Sequence, residues 1–384
     1  MYESVIKEFG TPLYLYDGKV LKERIEYIKS KLPSYKIIYA IKANTFIIPM
    51  LDDLVDGYEI CSYGEALICN KLNINHDKYV ISGVNKEEYY IEALMLDNVK
   101  KFTIESMKHY ELLSKLALKH QKNINVLVRI TSGNQFGVTE EDAKRIFELN
   151  KDNQYITIKG LEYFSGTQKH SIKKVNKEID YLIELTNNLE SEFNIVLEEI
   201  EYGPGSPVYY FQGEEFNEDE YFDELNLALS KIKGKTVSLE LGRSIAASCG
   251  SYLTSVVDMK TNEYGNTVIL DGGMNHLVYY GQTMAMRVPH FEVYPKSNEK
   301  EEIYNLYGSL CTVNDIIVKN ISVNKLNIGS TFVFKKVGAY SSTEGISLFL
   351  SRDLPKIVIC DRLGNYKLVR DTIKTSDINF PNYN

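Results

Sequence analysis

The sequence predicts an eight-stranded parallel (β/α)8 barrel of the TIM type, followed by a C-terminal antiparallel β-barrel or sandwich domain. Two observations predict it. Up to about residue 250, short apolar β-like runs alternate with helical patterns, giving eight strands with seven helices between them. Beyond that point the strands continue, but the long helices between them stop.

The elements run in order along the chain. A short apolar segment at 12–16 (PLYLY) precedes Asp17, a good N-cap, and spaced apolar residues from Val20 to Leu32 then predict a helix. The barrel strands are read at 37–42 (IIYAIK), 58–61, 79–82, 102–104, 125–130, 159–164, 198–202 and 236–241 (TVSLEL). Helical patterns lie between them near 46–55, 64–71, 86–96, 106–119, 139–149, 172–192 and 218–231. A doubly wound open sheet gives the same alternation. Later runs such as YLTSVVDMK, NTVILDGG, DIIVKNISV, TFVFKK and KIVICD form the second domain. The expected division is residues 36–248 for the barrel, and 1–35 with 249–384 for the β domain, which the 12–16 strand can join.

Composition narrows the function. The chain has 384 residues, 44% hydrophobic and 25% charged, an ordinary globular profile. Its net charge of −8 argues against nucleic acid as the main partner. No apolar run is long enough to span a membrane, and the opening MYESVIKEFG lacks the basic and apolar regions of a secretory signal. Five scattered cysteines without CxxC spacing suit a reducing cytoplasm and offer no zinc framework.

In such a barrel, chemistry sits at the C-terminal strand ends. Lys42 closes the first strand, where a partly desolvated amine can act as a nucleophile; a lysine there can equally be solvated. Gly203-Pro204-Gly205-Ser206 follows the seventh strand, at the barrel's common phosphate position, although most such stretches are only tight turns. Glu240 and Arg243 close the eighth strand, which pairs with the first in a closed barrel. A carboxylate there could hold a pyridine nitrogen protonated and the arginine could assist a phosphate; a structural Glu–Arg pair is the plain alternative.

These landmarks resemble a known family over almost the whole chain. TPLYLYD, YAIKAN, GYEICSYGEAL, FTIESMKHYELLSKLA, QFGV, FSGTQ, YGPGSP, ELGRSIAASCG, DGGMNHL, LCTVND and VGAY follow one another as in the fold-type III pyridoxal-phosphate decarboxylases, the diaminopimelate and ornithine decarboxylase superfamily. The resemblance implies pyridoxal 5′-phosphate as cofactor, held by Lys42 as a Schiff base. Gly203, Gly205 and Ser206 would cradle the phosphate with help from Arg243 and Tyr340, and Glu240 would pair with the pyridine nitrogen. Cys311 would reprotonate the substrate from the partner subunit of a homodimer, with Asp315 near the substrate. Because related racemases carry an arginine at the pyridine nitrogen, Glu240 favours decarboxylation over a racemase or epimerase.

The chain also departs from the family pattern. Phe164 stands where a histidine stacks on the cofactor ring, and Glu162 replaces another histidine. Thr312 stands where an acidic residue recognises the substrate's distal ammonium, and Leu348 or Phe349 falls near the family's later Tyr-Asn. These changes resemble the divergent branch that acts on carrier-protein-bound, citryl-conjugated or otherwise modified amino acids in siderophore and antibiotic pathways. A pyridoxal-phosphate-binding protein without catalysis is the remaining reading, against which the second domain and the Cys311–Asp315 segment count.

Overall fold

The computed structural model describes residues 1–382. The chain divides into a barrel unit, Ile25–Pro207 with Asn217–Ile245, and a β unit, Met1–Arg24 with Val208–Phe216 and the chain from Ala246. Residues 25–35, expected with the β domain, thus lie in the barrel unit. Their tie is polar: Tyr27 donates to Asp219 at 3.0 Å, and Lys31 pairs with Asp219 and Asp223. Val208–Phe216, expected in the barrel, lies in the β unit, where Glu214 pairs with Arg287 and the Tyr209 carbonyl accepts from Lys336.

A first helix that the sequence reading missed, α1 (Tyr2–Phe9), precedes β1 (Leu13–Asp17). Helix α2 (Gly18–Lys31) begins where Asp17 Oδ1 accepts from the N–H groups of Lys19 and Val20, at 2.8 and 3.1 Å.

The barrel closes through β2 (Lys36–Ala40), β3 (Gly57–Ile60), β4 (Tyr79–Ile81), β5 (Lys101–Ile104), β6 (Ile124–Ile130), β7 (Ile156–Phe164), β8 (Glu199–Gly203) and β9 (Thr236–Leu241). All pairs are parallel, and β9 returns to β2 with Glu240 opposite Ile38. The outer helices are α3 (Tyr63–Lys71), α4 (Glu88–Leu96), α5 (Met107–His120), α6 (Glu140–Asn150), α7 (Ile172–Phe193) and α8 (Glu218–Leu229). Several start on side-chain caps legible in sequence: Ser62, Ser106, Thr139 and Asn217 each accept from a backbone N–H three residues on. The helix expected at 46–55 is instead a 3-10 stretch, Thr45–Met50, interrupted by Pro49. Proline lacks the N–H that an α-helix interior needs, and Ile47 and Ile48 ahead of it are stiff β-branched residues.

In the β unit, β10 (Gly250–Asn262), β11 (Gly265–Leu270), β12 (Phe291–Tyr294), β13 (Glu301–Tyr307), β14 (Ile316–Asn324), β15 (Thr331–Lys335), β16 (Lys356–Cys360) and β17 (Tyr366–Arg370) join β1. Their path is β14-β13-β11-β10-β1-β16-β17, with β15 bridging β10 and β12. The pairing is mostly antiparallel, as expected, but β1 with β16 and β11 with β13 run parallel. Alternation along β1 explains its place: Leu13 and Leu15 pack with Leu253, Val333 and Val358 under Val5 of α1, each essentially inaccessible to water. Burying each such side chain contributes about 1.5–3 kcal/mol, which is what docks a helix of only two turns.

Candidate active site

Alternate residues of a barrel strand point into the lumen, and here the lumen is charged. Register sets Arg129, Glu162, Glu201 and Ser238 side by side across β6 to β9. Arg129 Nη1 lies 3.1 Å from Glu162 Oε1 and 3.3 Å from Glu105 Oε2, with Lys86 Nζ 3.5 Å from the other Glu105 oxygen. Below them Lys101 pairs with Glu199 at 2.6 Å and with Glu201 at 3.1 Å. With Glu59 and Glu240, six carboxyls share the lumen with four cations among the described residues: Lys42, Lys86, Lys101 and Arg129.

Such a ratio keeps some carboxyls protonated. Burial drives both Glu162 and Glu240 well above the usual carboxylate range; Glu59 and Glu201 push Glu240 further, while Lys42 and Arg129 oppose. Glu201 is pushed up to about 7, chiefly by burial, with Lys101 pulling it back. Its folded value therefore lies above its ordinary value of 4.5. The stability it contributes is whole below that ordinary value and is lost as pH rises through about 7. Glu201→Gln is thus expected to gain stability relative to the native chain across this window, read from urea midpoints at several pH values. Parallel midpoints would mean that Glu201 is ionised throughout.

Lys42 stands two residues past β2, in a 3-10 turn from Ile41 to Ala43, not at the strand's end as read from the sequence. Its side chain remains 43% exposed while Nζ reaches the buried Glu59 Oε2 at 2.6 Å. Burial opposes ionisation of Glu59, but Lys42 and a hydrogen bond from Cys61 hold it below the usual range. Cys61 Sγ sits 3.6 Å from Lys42 Nζ. Sequence reading missed Glu59 as Lys42's partner; the signal was a glutamate inside the apolar run GYEI.

The glycine turn after β8 is built for close approach. A Cβ on Gly203 would run into the Phe164 ring, and Gly205, at φ +60°, would meet the Gly166 carbonyl. The Ser206 hydroxyl is buried with no hydrogen-bond partner among the described residues, and Glu240 Oε1 is likewise buried without one. Buried polar atoms without a partner are uncommon in a native core, and these two stand at the C-terminal ends of barrel strands, where a ligand can supply one. Arg243 is buried just past β9, its Nε 3.4 Å from Thr167 Oγ1.

This donor set fits pyridoxal phosphate. Lys42 offers an accessible amine, Glu240 a buried acid whose Oε1 is open to a ring nitrogen, the turn at 203–206 with Arg243 a phosphate cradle, and Phe164 a flat apolar face.

The other expected site residues belong to the β unit. Cys311 is exposed, Thr312 is half-buried with Oγ1 accepting from Asn314 N–H at 3.3 Å, and Val313 is 86% exposed. Asp315 is buried, and its two oxygens accept from Met274 and Leu310 N–H groups at 2.7 Å each. A carboxylate so occupied anchors its loop, a role invisible in sequence because the donors lie on the preceding DGGM turn and on its own segment. Tyr340 is half-buried at φ 65°, a costly conformation for a tyrosine, and its carbonyl caps a turn by accepting from Thr343 and Glu344.

Comparison with known proteins agrees with this geometry. Residues 19–247 match the family model described as pyridoxal-dependent decarboxylase, pyridoxal binding domain. The diaminopimelate decarboxylase of Bacteroides thetaiotaomicron is 27% identical, over 92% of this chain and 96% of the relative. The L-glutamyl-(BtrI acyl-carrier protein) decarboxylase of Niallia circulans is 26% identical, over 98% and 94%. In fold, the chain is similar to Helicobacter pylori diaminopimelate decarboxylase complexed with L-lysine, with a TM-score of 0.86 at 24% identity and 98% of each chain covered. Since the family model spans more than half of the chain and the barrel mouth suits the cofactor, the chain belongs to the pyridoxal-dependent decarboxylases, with pyridoxal phosphate as its cofactor.

Proposed function

We propose that this amino-acid decarboxylase removes the α-carboxylate of a conjugated amino acid, one bound to a carrier protein or otherwise modified so that its distal end carries no free ammonium. The observation that carries the reading is the segment Cys311–Asp315. Thr312 is neutral where the family bears an acid, and the segment's own carboxylate, Asp315, is taken up by backbone N–H groups. A distal ammonium would find no partner there, at a cost of about 2–5 kcal/mol, or roughly thirty- to several-thousand-fold in binding. The similarity to a glutamyl-carrier-protein decarboxylase over nearly the full chain supports it. A place in a siderophore, antibiotic or related pathway, in the cytoplasm, accords with such a substrate and with five free cysteines.

Bound pyridoxal phosphate supplies the electron sink that lets carbon dioxide leave the α-carbon. The chain's own residues do the rest. Lys42 would hold the cofactor through its amine, and Glu59, 2.6 Å from Lys42 Nζ, orients that amine. Glu240 would hold a proton at the ring nitrogen and Phe164 would offer the ring an apolar face, while Gly203, Gly205 and Ser206 would hold the phosphate, with Arg243 and Tyr340 expected to assist. Cys311 of the partner subunit delivers a proton to the α-carbon, so the active unit is a homodimer.

Carbon dioxide release should be at least about tenfold faster in kcat/KM on carrier-bound glutamate or citryl conjugates than on diaminopimelate, lysine or ornithine. Faster turnover of a free dibasic amino acid would overturn the reading, and α-hydrogen exchange without carbon dioxide would mark a racemase. The dimer has its own test. Lys42→Ala and Cys311→Ala chains, each inactive alone, should recover about a quarter of native activity when unfolded and refolded together, because a mixed dimer rebuilds one intact site. No recovery would place both groups in one chain's site.

A further inference from the structure

Beneath the glycine turn lies a buried ion pair that the reaction does not use. Lys169 is 5% exposed and its Nζ donates to Glu178 Oε2 at 2.7 Å and to the Gly203 carbonyl at 3.0 Å. Its backbone N–H also donates to the Gly205 carbonyl at 2.8 Å. One residue therefore ties down both glycine carbonyls of the turn. Its chain runs close behind it too, with Lys169 Cε 3.2 Å from where a Gly205 Cβ would stand.

Glu178, on α7, anchors the pair from the far side. It accepts from Tyr202 OH at 2.6 Å and from the Ser165 hydroxyl, so residues on both strand ends that frame the turn meet one carboxylate. The pair is thus oriented, its ammonium toward the glycines and its carboxylate toward the helix. With the carbonyls turned to Lys169, the N–H groups of Gly205 and Ser206 have no protein acceptor among the described residues, and the Ser206 hydroxyl is the buried orphan described above. Fixed N–H groups backed by a cation make an anion site.

We propose that Lys169 is a positioning residue for the cofactor's phosphate: by clamping the carbonyls of Gly203 and Gly205 it aims the turn's N–H groups outward, and its ammonium end lends the turn positive potential. The proposal rests on the reading that residues 203–206 take the phosphate. A clamp acting on the phosphate alone discriminates pyridoxal phosphate from pyridoxal, which reacts with the same amine but lacks the anion.

The test titrates the full-length apoprotein with each aldehyde and follows visible absorbance. Lys169→Met/Glu178→Gln removes both charges together, leaving neither stranded. Its Kd for pyridoxal phosphate should rise about tenfold or more, and its Kd for pyridoxal less than about threefold. Lys169→Arg retains the cation and should keep most of the discrimination. Equal weakening of both aldehydes in the double variant, or lost discrimination in Lys169→Arg, overturns the clamp. Ser206→Ala separates the two levels. Should it lose discrimination while the Lys169 variants keep it, the phosphate reading stands and the clamp fails; should neither it nor Arg243→Met lower discrimination, the phosphate reading itself fails.

Discussion

Lys42→Ala is expected to leave the protein colourless after incubation with pyridoxal phosphate, and to lower carbon dioxide release by about three orders of magnitude or more. Accessibility is the reason this lysine carries the effect. Lys86 and Lys101 in the barrel and Lys169 beneath the glycine turn are its rivals, but their side chains are 0%, 21% and 2% exposed and each is spent on buried carboxylates. Lys42 alone among these four combines a buried carboxylate partner with a side chain open to an incoming aldehyde. Lys42→Arg separates chemistry from folding. It keeps a cation for Glu59, so it should melt like the native chain yet remain colourless. A normal visible spectrum in either variant would remove Lys42 from its role.

Arg129→Met is expected to cost about 3–5 kcal/mol of stability, measured as a fall in the urea midpoint of the apoprotein. Two carboxylates depend directly on this guanidinium, Glu105 at 3.3 Å and Glu162 at 3.1 Å, and it also lies over the Phe136 ring at 4.7 Å. Removing the cation leaves six carboxyls in the lumen facing three cations. Adding Glu162→Gln to the same chain should recover part of the loss, because it removes a buried ionisable group that no longer has a cation beside it. A loss below about 1 kcal/mol for the single substitution would mean that the lumen is wetter than the buried side chains imply.

The barrel was legible because short strand-like runs alternate with helical patterns, several of them opened by a capping residue; all eight strands fall within a few residues of where the sequence puts them. What escaped was depth. Glu59 and Arg129 sit in the runs GYEI and INVLVRI, where an isolated charge reads equally as a surface residue, and only barrel closure turns them inward. Phe164 and Thr312 were visible as departures from a pattern, but the occupied state of Asp315 required seeing Met274 and Leu310 fold back on it. Strand β13 was missed for a related reason: Glu301, Ile303 and Asn305 alternate with Tyr304 and Leu306, so only two of its side chains reach the core fully. Helix α1 had a readable signal, Val5 with Ile6 and Phe9 on one face, and was passed over because it is so short.

The place of β1 in its sheet bears on how the chain is made. It is an interior strand, with β10 on one side and β16 on the other. On a ribosome it emerges before both neighbours, and the second follows about 340 residues later, a wait on the order of tens of seconds at typical elongation rates. The barrel strands are all synthesised within that interval, whereas the Leu-Tyr-Leu-Tyr run of β1 keeps an open edge until β16 arrives. A nascent chain stalled before Lys356 therefore exposes an apolar strand with unpaired backbone, the feature most prone to pair with a neighbouring copy and the one that chaperones must shield.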